Sequence, residues 1–179
     1  MSEKFKARNR EGLYFIATTI DDWVDLFTRP TYKHIIVDSL NYCVANKGLK
    51  IHAWFLMSNH IHLIVSCEND LASVMRDFKS FTGKQFSKAI DTAEESRKDW
   101  LLSKFRYAAS RVLKGKDFKI WKDGYHPVEL IGNEMIDQKM DYIHDNPVRQ
   151  EIVFLPEHYL YSSARDYCGE KGLVELEMI

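Results

Sequence analysis

Three cysteines in 179 residues are too few for a disulfide scaffold. Cys43, Cys67 and Cys168 are odd in number and scattered, no two have the spacing of a metal-binding loop, and they suit a reducing interior. No apolar run approaches the length of a membrane span. The opening Met1-Ser-Glu-Lys-Phe-Lys-Ala-Arg8 is basic but lacks the apolar stretch of a signal peptide. No long unit repeats, and no tract is low in complexity. Net charge is also nearly absent, at −1. What is present is a hydrophobic content of 45% with 13% aromatics, enough for a core and too much for a disordered chain. A single soluble, cytoplasmic domain over residues 1–179 is expected.

The near-neutrality is a cancellation. Residues 76–122 hold 13 basic and 6 acidic side chains, whereas residues 123–179 hold 4 basic and 12 acidic. The basic segment also contains Phe78, Phe81, Phe86, Trp100, Phe105 and Tyr107. Cations interleaved with aromatics suit a nucleic-acid backbone, although a solvated helical face over core aromatics has the same composition. Lys139 and Lys171, in the acidic third, are expected to lie apart from such a surface.

Residues 13–20 are rich in β-branched and aromatic side chains and read as a strand. Residues 32–46 have helical apolar spacing and stop near Asn46-Lys47-Gly48. Residues 50–57 and 60–65 read as two strands joined by the Ser58-Asn59 turn. Residues 71–90 form a helix with Leu71, Val74, Met75, Phe78, Phe81 and Phe86 near one face. An insertion-like stretch, helical or irregular, follows to 117. Residues 118–121 and 127–131 bracket Gly124 as a fourth strand region, and Asn133 caps a helix that Asn146-Pro147 is expected to end. The order strand–helix–strand–strand–helix–strand is the split βαβ, ferredoxin-like pattern of an α+β fold. One sheet face is left for a further helix, and residues 133–145 are the natural cover.

Two constellations carry chemistry. In His60-Ile61-His62, residues two apart on a strand share a face, so both imidazoles project together while Ile61, Leu63 and Val65 enter the opposite core. Such a pair is half of a divalent-metal site, or simply two histidines on a half-exposed sheet. In Met140-Asp-Tyr-Ile-His-Asp-Asn-Pro-Val148, Tyr142 and Asn146 lie one helical turn apart. They gain meaning if this helix crosses the histidine face. His52 and His144 read as surface or outer-shell groups, and Tyr107 and Tyr125 as rival hydroxyls without an amide at the right spacing.

The segments Phe55-Leu-Met-Ser-Asn-His-Ile-His-Leu-Ile-Val65, Asp141-Tyr-Ile-His-Asp-Asn-Pro-Val-Arg149 and Leu155-Pro-Glu-His-Tyr-Leu-Tyr-Ser-Ser-Ala164 resemble the REP-associated tyrosine transposases. Those are single-tyrosine HUH endonucleases of bacterial insertion sequences. The resemblance runs from about residue 13 to 167. It implies a metal-dependent single-strand DNA endonuclease and strand transferase acting on hairpin or repetitive-element DNA. Tyr142 would be the nucleophile that leaves a 5′-phosphotyrosyl enzyme. His60, His62 and Asn146 would hold Mg²⁺ or Mn²⁺. Arg76, Lys79, Lys84, Lys88 and Arg149 are the residues expected to hold DNA phosphates. Monomers and homodimers both fit, and no membrane is involved. Two other classes stay open, a domesticated hairpin-binding protein without catalysis and a metal-dependent phosphodiesterase that uses water. Ser58, Lys122 and Glu151 depart from the family's frequent proline, glutamine and glycine.

Overall fold

The computed structural model describes residues 7, 9, 11–92, 94–111 and 117–179. Lys4, Lys6, Arg8, Lys114 and Lys116 lie outside the described residues. Strands β1 (Tyr14–Thr19), β2 (Leu49–Leu56), β3 (His60–Cys67) and β4 (Val128–Glu129) form one sheet in the order β2-β3-β1-β4, every pair antiparallel. This is the ferredoxin-like arrangement expected from the element order. Helices α1 (Pro30–Lys47) and α2 (Leu71–Thr92) cover one face, and α4 (Asn133–Arg149) covers the other. The insertion contributes α3 (Lys98–Ser110), and a short α5 (Ala164–Tyr167) follows α4.

Register decides which side chains meet. Ala17 pairs with His62, Phe15 with Ile64, and Phe55 with His62. Because alternate residues share a face, Phe15, Phe55, Ala53, Ile64 and both histidines point toward α4. A register shift between Ile51 and Ala53 places one extra residue, His52, in β2. That bulge puts Ile51 and Trp54 together in the core under α1 and α2 despite their odd spacing. His52 is consequently buried, bridging the Glu177 carbonyl (2.7 Å) and Ser66 Oγ (2.9 Å), and is a core group rather than a surface one.

Four local expectations are corrected. Phe81 is exposed, because α2 buries Phe78, Thr82, Phe86 and Ile90 at intervals of four, a stripe that passes Phe81 by. Residues 118–121 form no strand and reach the sheet through the isolated Ile20–Trp121 bridge, so β4 is Val128–Glu129, after the Gly124 turn. Asn133 is the first residue of α4, with Gly132 at φ 82 as its N-cap and no side-chain cap bond. Finally, α4 continues through Pro147 to Arg149. A proline forbids only its own N–H bond and crowds the preceding turn. Burial of Ile143, Asn146 and Pro147 holds the last turn helical, and the end is closed at Glu151, whose N–H donates to the Val148 carbonyl (2.9 Å), and Ile152, whose N–H donates to that of Pro147 (3.0 Å).

Candidate active site

His60 and His62 leave β3 side by side, with ring centroids 5.1 Å apart and planes nearly perpendicular. His62 lies between Phe55 of β2 (5.0 Å, 13°) and Phe15 of β1 (5.1 Å, 28°), stacked on both. This aromatic box strips water from the imidazole and disfavours its charged form. Burial, then the neighbouring His60 and the Lys139 charge, pull the His62 pKa down to about 3. Burial lowers His60 as well. Both rings are therefore neutral at pH 7 and keep a lone pair for a Lewis acid.

Asn59 fixes one of those lone pairs. Its Nδ2 donates to Asp25 Oδ1 (2.9 Å) and to the Trp23 carbonyl (3.2 Å), so its Oδ1 is the acceptor facing His60 Nδ1 at 2.7 Å. A neutral His60 then carries its proton on Nδ1 and presents Nε2 unprotonated. Ser58 donates to the same Asp25 carboxylate at 2.6 Å and so ties the turn by a hydrogen bond.

Helix α4 brings Tyr142 onto this pair. Its ring meets His62 edge-on at 5.5 Å and also contacts Phe15 and Phe55. Asn146, one turn on, is buried. The rival hydroxyls lie elsewhere. Tyr107 is exposed on α3, and Tyr125 packs against the core on the other side of the sheet. His144 binds Ser163 Oγ (2.9 Å) and meets the Tyr167 ring at 5.0 Å, tilted by 54°, which ties α4 to α5.

The donor set fits a divalent ion. His62 Nδ1 is buried without a hydrogen-bond partner among the described residues, so no described side chain competes for that nitrogen. No three His, Cys, Asp or Glu side chains cluster as ligands among the described residues. A third protein donor would be an amide, and Asn146 is the buried one on α4.

Lys139 lies on the α4 face, apart from α2 as expected, and beside Tyr142. Its ammonium sits 4.9 Å over the Phe15 ring and 5.8 Å over that of Tyr142. Residues three apart share a helix face, so its spacing to Tyr142 was the signal that could have found it. The structure does not bring Arg76, Lys79, Lys84 or Lys88 to the histidines, because α2 covers the opposite face of the sheet. Lys79 donates to the carbonyls of Lys122 (2.6 Å) and Gly124 (2.5 Å), and burial lowers its pKa to about 8. Arg149 is exposed at the end of α4, paired with Asp145 at 3.6 Å.

Residues 23–114 match the family described as "Transposase IS200 like". The chain belongs to that family. The matched span includes the histidine pair and stops before α4. No curated protein matches the transposase closely enough to count as a relative. Among solved structures, one of a REP-associated tyrosine transposase bound to a REP hairpin superposes with a TM-score of 0.60 at 20% identity, covering 99% of this chain and 92% of that one. At that identity the likeness is one of fold, and it extends through α4. No described helix is long and apolar enough to cross a membrane.

Proposed function

We propose that this transposase is a metal-dependent single-strand DNA endonuclease and strand transferase working through a 5′-phosphotyrosyl intermediate on Tyr142. The observation that carries the reading is the edge-on contact of Tyr142 with His62, beside two imidazoles held neutral. His60, His62 and Asn146 would hold the ion. A bound divalent cation would neutralise charge on the scissile phosphate and orient it for in-line displacement. Two nitrogens and an amide oxygen suit Mn²⁺ better than Mg²⁺, which prefers all-oxygen shells.

The protein's own steps follow from α4. The Tyr142 hydroxyl attacks phosphorus, its proton leaves, and the P–O3′ bond breaks to give a free 3′-hydroxyl that takes up a proton. One phosphodiester is exchanged for another, so a 3′-hydroxyl on a second strand can reverse the step and release Tyr142 without ATP. A phenol, with a pKa near 10, is a far better leaving group than a sugar alkoxide. The Lys139 ammonium, 5.8 Å from the Tyr142 ring centroid, would offset negative charge gathering on the phosphoryl oxygens as Tyr142 attacks. Phe15 and Phe55 exclude water from the His62 side, which favours transfer over hydrolysis.

Hairpin DNA is the substrate class proposed, in keeping with the ligand of the structurally similar transposase. The test is incubation of single-stranded hairpin oligonucleotides with Mn²⁺, resolved on denaturing gels. Wild type is expected to give a cleaved strand and a slower protein band carrying DNA, and Tyr142→Phe neither. A Phe variant that still cuts with no adduct would point to water as the nucleophile. Binding without cutting by the wild type would point to a non-catalytic hairpin-binding protein.

A further inference from the structure

Beyond the catalytic groups, one exposed aromatic is placed at unusual conformational cost. After β1 the chain turns through Asp22 (φ 53) and Trp23 (φ 55), two successive non-glycine residues in the left-handed region. That region is unfavourable for a bulky side chain and persists only where surrounding contacts fix it. Here they do. The buried Asp21 pairs with Lys119 (3.4 Å) and Arg111 (3.6 Å), Asp22 pairs with Arg111 (3.5 Å), and Asn59 holds the Trp23 carbonyl. The indole gains little burial from this, being 58% exposed. What it gains is position. Its ring centroid lies 6.2 Å from that of His60 with the planes 73° apart, and the Asn59 amide bonds both the Trp23 carbonyl and the His60 ring. The Lys122 ammonium sits 5.7 Å from the indole centroid, and no carboxylate pairs with it among the described residues.

We infer that Trp23 and Lys122 form a nucleotide subsite beside the histidine pair, the indole stacking one base of a single DNA strand and the ammonium meeting its phosphate. Stacking needs an exposed π-face held rigid, and every base supplies its counterpart. The cation makes the subsite specific for a polyanion rather than for an apolar ligand. Contact with His60 places the stacked nucleotide within a residue or two of the scissile phosphate. The inference rests on the proposed DNA chemistry, but it concerns binding and is measured without cleavage.

The test is a fluorescence titration in EDTA with short oligothymidylate, and with an abasic phosphodiester strand of equal length. Trp54 and Trp121 are buried, so Trp23 and Trp100 are the indoles open to quenching by a base. Wild type is expected to be quenched by oligothymidylate. Trp100→Phe should keep that quenching, and Trp23→Phe should lose it while keeping most of the affinity. Trp23→Ala should weaken binding roughly five- to a hundredfold, the worth of one stacked base, down to the level of the abasic strand. Trp23→Gly separates binding from folding. Glycine suits the left-handed backbone, so this variant should melt no lower than wild type and yet bind as weakly as Trp23→Ala. Lys122→Gln should reduce the salt slope by about 0.7, one phosphate contact. Unchanged affinity and quenching in Trp23→Ala, with Tyr142 adducts still formed, would overturn the subsite and leave the catalytic reading intact. Loss of binding in Trp23→Ala where wild type forms no adduct would do the reverse.

Discussion

At the scale of single residues, the His60–His62 pair was legible because strand periodicity alone puts both rings on one face. Tyr142 and Asn146 needed the family resemblance to stand out from an ordinary packed helix. Lys139 and Trp23 were missed for a physical reason. Their importance depends on which strand end and which helix face meet across the sheet, and composition does not encode that. Lys139→Ala is expected to slow adduct formation by roughly ten- to a hundredfold, somewhat below the loss of an oxyanion-hole donor, with metal affinity little changed. Single-turnover rates at saturating Mn²⁺ measure this, and an unchanged rate would remove Lys139 from the chemistry. The lowered pKa of His62 has a consequence for the metal-free protein. The folded state binds fewer protons here than the unfolded chain does between the ordinary value of 6.5 and about 3, so stability falls as pH drops through that window. Urea melts of wild type and His62→Gln across that range should show a shallower acid loss in the variant. Parallel curves would mean the ring is not buried as the neutral form.

At the scale of elements, strands β1 to β3 and helices α1 and α2 matched their expected places within a few residues. The end of α4 did not, because the local rule against a helical residue before proline yielded to burial of Ile143, Asn146 and Pro147. That extra turn keeps Asn146 helical, one turn from Tyr142, where both can face the histidines. It closes at Glu151, whose φ of 56 is a left-handed backbone that glycine suits better than glutamate. Glu151→Gly is expected to relieve about 1 kcal/mol of strain, partly offset by the freer unfolded chain, and so to raise the melting temperature by about 2 °C. A lower melting temperature would contradict the assigned cap. On α2, Lys79 belongs to the fold, since its ammonium pins the turn after Trp121. Lys79→Met should cost about 1 kcal/mol of stability through the loss of these hydrogen bonds and leave DNA affinity unchanged once folded.

At the scale of the whole molecule, the basic excess between residues 76 and 122 is less available than its count suggests. Arg97, Lys98, Arg111 and Lys119 are engaged with Glu95, Asp91, Asp21, Asp22 and Asp123. Arg111 and Lys119 tie the insertion to the corner that carries Trp23. Lys84 and Lys88 remain solvent-facing on α2, with the sheet between them and the histidines. A short single strand at the site is therefore expected to keep its salt slope when Lys84 and Lys88 are reversed to Glu, and to lose about 0.7 for each of Lys122 and Lys139 reversed. A slope flattened by the α2 reversals instead would route the strand over the opposite face. Linear sequence shows a charge excess, whereas the pairing that consumes it exists only in three dimensions.

The most direct measurement is peptide mapping of the protein–DNA adduct. Wild type is incubated with a hairpin oligonucleotide in Mn²⁺, digested with protease and nuclease, and analysed by mass spectrometry. A nucleotide phosphate attached to the peptide containing Tyr142 is expected, absent in EDTA and absent when both His60 and His62 are alanine. Attachment at another residue, or a Tyr142 adduct undiminished in EDTA, would contradict the site.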